Sequence, residues 1–141
     1  MGEKKKFYVG VKALFIKNER ALFLRNTRGQ WQGRMYWDFP GGRIREGEDV
    51  QEALRAKVLE KAGIREFSIG KIVGTFILKT DIEPHIGLLL LIFRCETNEE
   101  KITLSEEHDR YGWFSKNEIA KLESSDGQYK QVALEVLEKT A

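Results

Sequence analysis

Cysteine is nearly absent: one residue, Cys95, excludes an internal disulfide and fits a reducing cytosol. It closes an apolar strand-like run, so a buried filler is expected there. An excess of charge of one sign is also missing. Twenty-four basic against twenty-two acidic residues leave +2, and no basic stripe of the kind a nucleic-acid binder carries is visible. The longest apolar run, Leu88 to Phe93, falls far below the roughly 20 residues of a membrane span. Lys4-Lys5-Lys6 precede an apolar stretch as in a signal peptide, but Lys12 and Lys17 interrupt it and no small-residue cleavage site follows. Repeats, low-complexity tracts and linkers do not occur. With 33% charged and 41% hydrophobic residues in 141, the expectation is one domain over residues 1–141, in the cytoplasm, with no membrane partner.

Patterning supplies the elements. Phe7 to Ile16 is β-branched and aromatic, Asn18-Glu19 suits a turn, and Ala21 to Leu24 returns as a hairpin partner. Thr27 to Arg34 is polar and glycine-punctuated, a loop with Arg25, Arg28, Trp31 and Arg34 in or beside it. Gly41 to Ile64 reads as a glycine turn, a polar loop and an amphipathic helix. Asp49 with Glu52 forms a variant capping box and Gly63 a left-handed C-terminus. Val50, Leu54, Val58 and Ala62 make its core stripe, while Lys57, Glu60 and Lys61 share a separate face. Phe67 to Lys79 is β-rich with bends at Gly70 and Gly74, and Glu83-Pro84-His85 breaks it. Ile86 to Arg94 is apolar enough for a strand buried on both faces. A return strand at Tyr111 to Phe114, a helix capped by Ser115 with Glu118, and a last helix from Asp126 complete the chain. Val132, Ala133, Val136 and Leu137 form the inner side of that last helix. The sum is an α/β fold, an α/β/α sandwich with a mixed β-sheet.

The spacing of Gly42, five residues, Glu48, then Gly63-Ile64, entered through Trp37-Asp38-Phe39-Pro40-Gly41, resembles the signature box of the Nudix hydrolases. Glu107-His108, Trp113-Phe114-Ser115 and Glu118-Ile119 resemble that family's closing strand and first C-terminal helix, so the likeness covers most of the chain. Gly41, Gly42 and Gly63 then serve as structural motif residues. The resemblance implies a Nudix fold and cleavage of a nucleoside diphosphate linked to another group. It also implies Mg²⁺ held by helix carboxylates, and it allows a homodimer that nothing in the residues decides. In this chain the family's Arg-Glu is Ala56-Lys57, and its Glu-Glu pair is Glu60-Lys61. Arg55, one position early, lies about 100° around the helix from the missing Arg.

Mg²⁺ is a hard cation that seeks oxygen ligands, and its task is to neutralise charge developing on phosphate. With a divalent ion roughly 4 to 6 Å away and an effective dielectric of about 20, each ammonium costs on the order of 5 kcal/mol where a carboxylate gave as much. Glu60, with Glu48 behind it, is left as a weak metal site. Three readings of the helix face stay open. Lys57 and Lys61 bind phosphate directly as point charges, helped by Arg43, Arg28 and a stacking Trp31. Alternatively residual Mg²⁺ chemistry runs through Glu60, Glu48 and Glu107, with the metal arriving on the ligand's phosphates. In the third, the face is solvated and carries a modest salt bridge. His108 either acts as a base or shapes its loop. The function expected is binding of a nucleotide or other diphosphate compound with weak or absent pyrophosphohydrolase activity. An active Mg²⁺-dependent hydrolase and a non-catalytic interaction module are the alternatives.

Overall fold

The computed structural model of the chain describes residues 2–27, 35–79, 81–122 and 127–140. Arg28, Trp31, Arg34 and the expected helix start at Asp126 lie outside the described residues.

A two-residue turn starts the architecture. Asn18 and Glu19, at φ 52° and 61°, join β1 (Lys6–Lys17) to β2 (Arg20–Asn26), the left-handed pair a tight hairpin requires. The strands pair at Lys17↔Arg20 and Ile16↔Ala21, next to the turn, and then each takes other neighbours. Antiparallel partners of β2 are β3 (Tyr36–Asp38) and β7 (His108–Phe114). β1 lies antiparallel to β4 (Gly41–Arg43) and parallel to β6 (Ile86–Glu96), which in turn pairs antiparallel with β5 (Ser68–Ile77). The sheet is therefore mixed. Register shifts in β5 fall between Ile69 and Ile72 and between Ile72 and Gly74, where the glycines were expected to bend it.

Strand alternation splits the core between two faces. Val11, Ala13, Phe15, Phe93 and Cys95 pack on α1 (Val50–Ala62) through Leu54, Val58 and Ala62. Leu14, Leu90 and Ile92 pack on α3 (Gln128–Thr140) through Tyr129, Val132, Ala133, Val136 and Leu137, with Ile119 of α2 (Lys116–Ala120) beside them. β6 feeds both clusters, as its continuous apolar run demands. Helices cover both faces, which gives the α/β/α sandwich. Among the described residues no helix is long and apolar enough to cross a membrane.

Helix α1 is held at both ends. Asp49 accepts hydrogen bonds from the amides of Gln51 and Glu52, each at 3.1 Å, and Gly63 ends it at φ 71° with its N–H on Leu59. Two expectations change. Val50 is 37% exposed, because the buried stripe begins a turn later with Ala53 and Leu54. Gly41-Gly42 is not a turn but the short strand β4, whose pairing with β1 draws the chain across the mouth of the sheet. The closing strand also starts earlier, at His108 instead of Tyr111, because its pairing with β2 runs past Leu24↔Tyr111 to Arg25↔Arg110 and Asn26↔His108.

Candidate functional site

β4 forms one rim of a cleft of about 790 Å³, within the range of small-molecule sites. α1 supplies Lys57 and Lys61 to it, β4 supplies Arg43, and the turn before β7 supplies Glu107. Helical geometry explains which charges enter. Lys61 lies about 40° from Lys57 around the helix and Glu60 about 60° on its other side. Lys57 and Lys61 consequently line the cleft with side chains only 20% and 11% exposed, while Glu60, at 54%, stands outside its lining and 3.6 Å from Lys57. Glu48 also stands outside, its carboxylate accepting from the Arg45 amide at 2.6 Å to close the loop before α1. The expected trio of Glu48, Glu60 and Glu107 is thus not gathered at the cleft: only Glu107 lines it. There the Lys61 ammonium donates to Glu107.

Small residues let the lysines in. A β-carbon added to Gly42 would fall 2.9 Å from Lys57 Cδ, so the Lys57 stem lies along the bare glycine backbone. Arg43 stacks on Tyr8, 4.7 Å from the ring centroid, and lies 4.0 Å from Glu83. The Tyr8 hydroxyl donates to Glu83 at 2.6 Å, and that hydrogen bond holds its pKa above the usual phenol value.

Lys12 and Asp38, which carry no site signal in the sequence, form a cluster with His108. Asp38 is 2% exposed and lies between His108 Nε2 at 3.3 Å and Lys12 Nζ at 3.6 Å. Nε2 is the ring nitrogen that faces the Asp38 carboxylate. Among the described residues, His108 Nδ1 and Ser105 Oγ find no hydrogen-bond partner, although both are buried. His108 thereby anchors the start of β7 to β3, while Lys12 and Asp38 line the cleft beside the Tyr129 ring. The one available signal was a lysine in the middle of a strand otherwise destined for the core. Burial, then the charges of Asp38 and Glu107, push the Tyr36 hydroxyl well above the usual phenol range, so it remains a neutral donor in the cleft.

Chemically, the α1 end of the cleft offers ammonium groups to an anion. There Lys57 and Lys61 against Glu107 leave one positive charge in excess, although the lining as a whole is balanced, with Lys12, Arg43, Arg45, Lys57 and Lys61 against Asp38, Glu46, Asp81, Glu83 and Glu107. For Mg²⁺ the fit is poor: Asp38 and Glu107 each already face an ammonium. Among the described residues no three acidic, histidine or cysteine side chains come together as a metal-holding group. Arg25, by contrast, is committed away from the cleft, pairing with Asp109 at 2.8 and 2.5 Å.

The NUDIX domain model matches residues 6–134. A nucleoside triphosphatase NudI of Salmonella schwarzengrund is 29% identical over 103 residues, covering 67% of this chain and 70% of that one. NudI of Escherichia fergusonii is 25% identical over 117 residues, covering 78% and 82%. Among solved structures, a MutT protein from Methanosarcina mazei Go1 superposes with a TM-score of 0.79 at 22% identity, covering 99% of this chain and 98% of that one. The E. coli ORF135 protein gives 0.76 at 18% identity, covering 96% and 94%. A family match running from the first strand into the last helix, on a sheet and helices arranged as in those structures, means that this chain belongs to the Nudix family.

Proposed function

We propose that this Nudix-family protein binds a nucleoside diphosphate or related diphosphate compound in the β4–α1 cleft, and that its pyrophosphohydrolase activity is weak or absent. The observation that carries the reading is a reversal of charge. The helix face turned to the cleft presents Lys57 and Lys61, while Glu60 points away and Glu107 meets Lys61. An ammonium has three donors and no lone pair, so it holds phosphate oxygens and repels a divalent ion. Lys57 and Arg43 take the phosphates in this reading, and Lys61 contributes the donors that Glu107 leaves over. The likeness to nucleoside triphosphatases supports a nucleoside phosphate as the ligand class. The protein would act in the cytosol as a single domain.

That same likeness favours a second reading, an active Mg²⁺-dependent hydrolase using Glu48, Glu60 and Glu107. There the ion would come bound to the ligand's own phosphates, and Glu107 would have to exchange Lys61 for it.

Calorimetry of pyrophosphate and nucleoside triphosphates in EDTA, with product release measured in Mg²⁺, separates the two. Binding in EDTA that Lys57→Gln weakens, with little turnover, is the expected result. Efficient turnover in Mg²⁺ that Glu107→Gln abolishes would overturn it. Restoring Ala56→Arg, Lys57→Glu and Lys61→Glu together should create a Mg²⁺-dependent rise in Tm that the natural chain lacks.

A further inference from the structure

We propose that Lys12 is a ligand-binding residue, which grips an acceptor oxygen of the bound compound from the face of β4 opposite α1. The inference rests on the cleft being a phosphate-compound site, as argued above, and adds a contact from the other side of the sheet.

Lys12 pairs with Gly41 in the β1–β4 ladder, and Val11 pairs with Gly42. Adjacent strand residues point to opposite faces. A β-carbon at Gly42 would meet the Lys57 stem, and one at Gly41 would come 2.9 Å from Lys12 Cδ. Gly42 thus makes room for the Lys57 stem, while Gly41 lies close against the β1 backbone, with the Val11 carbonyl oxygen 2.0 Å from such a β-carbon, and the Lys12 stem runs beside it; both lysines line the cleft.

A simpler account makes Lys12 only the counter-ion of buried Asp38. The distances argue otherwise. A committed ammonium closes on a carboxylate to about 2.8 Å. Lys61 does close on Glu107, but Lys12 Nζ stops 3.6 Å from Asp38 Oδ2, where attraction persists without a hydrogen bond. Asp38 already has the His108 Nε2 contact at 3.3 Å. Lys12 Nζ also lies over the Tyr129 ring, 6.0 Å from its centroid. The ammonium is therefore held in place by charge and an aromatic face while its three donors stay available to the cleft.

The test compares Asp38→Asn with Asp38→Asn/Lys12→Gln, by calorimetry in EDTA with pyrophosphate and with each of the four nucleoside triphosphates. Removing both members of the pair leaves no lone buried charge, so the double variant should keep its fold, checked by circular dichroism. We expect the double variant to bind at least about tenfold more weakly than Asp38→Asn, which corresponds to about 1.4 kcal/mol. Loss for pyrophosphate places the Lys12 contact on the diphosphate, and loss confined to the triphosphates places it on what pyrophosphate lacks, the third phosphate or the nucleoside. Equal affinity of the two variants for every probe overturns the Lys12 role and leaves the proposed function standing. Failure of the natural chain to bind any probe overturns both.

Discussion

Gly42→Ala is a conservative change that should damage binding while leaving the fold. Gly42 lies in β4 opposite Val11, with no left-handed backbone that an alanine would strain. Its new β-carbon would stand 2.9 Å from Lys57 Cδ and 3.1 Å from both Cγ and Cε, against roughly 3.5–4.0 Å for relaxed carbon contacts. All three atoms belong to one flexible stem, so the lysine must move aside by nearly an ångström instead of the backbone. The loss of glycine's entropy in the unfolded chain contributes about 0.4–1 kcal/mol toward stability, which offsets part of the crowding. Stability should therefore change by about 1 kcal/mol or less. Binding should suffer more, since a hydrogen bond to a charged group is worth about 1.5–3 kcal/mol, or roughly tenfold to a hundredfold in Kd. Gly41→Ala is the contrasting control. There the β-carbon would lie 2.0 Å from the Val11 carbonyl oxygen and 2.8 Å from Lys12 Cα, both backbone atoms that cannot yield without breaking the ladder. That variant should lose cooperative melting. The assay is pyrophosphate calorimetry in EDTA beside a melting curve. Gly42→Ala that binds as the natural chain does would refute the placement of Lys57 on the phosphate.

Three further outcomes follow from single contacts. Asp49→Ala removes the side chain that caps α1 at the Gln51 and Glu52 amides and should cost about 1 kcal/mol, a Tm drop of about 3 °C. The Cys95 thiol, 1% exposed and pushed by burial up to about 12, should resist alkylation at pH 8 until the chain unfolds, so labelling rates should follow denaturant unfolding. Labelling at native rates typical of a surface thiol would contradict that burial. The Arg25 hydrogen bond, foremost, lowers the Asp109 pKa below its ordinary value. A lowered folded-state pKa gives stability that is present above the unfolded value of about 3.9 and lost as pH falls through the folded one. Asp109→Asn should accordingly flatten the acid limb of the stability profile below about pH 4, and an unchanged limb would count against the pair.

Much of the fold was legible because its signals are local. The Asp49 cap, the Gly63 terminus, the Ser115–Glu118 box and the inner face of α3 each depend on residues within a turn or two of one another. β4 was not, since three residues headed by two glycines carry no strand propensity and become a strand only because β1 is there to pair with. The candidate site divides in the same way. Lys57 and Lys61 were identifiable from helical spacing as neighbours on one face of α1. The partner of Lys61, 46 residues away at Glu107, could not be found by spacing.

By itself, then, the sequence determined the family, the sandwich and the sign of the helix face, because periodicity, capping and charge are properties of neighbours in the chain. Only the tertiary structure decided that Glu60 turns out while Lys61 turns in, that Asp38 sits buried between His108 and Lys12, and that Gly42 of an edge strand leaves room for the Lys57 stem. Those outcomes depend on which strands meet across the sheet, and pairing between distant segments is set by the whole core rather than by any one stretch of it.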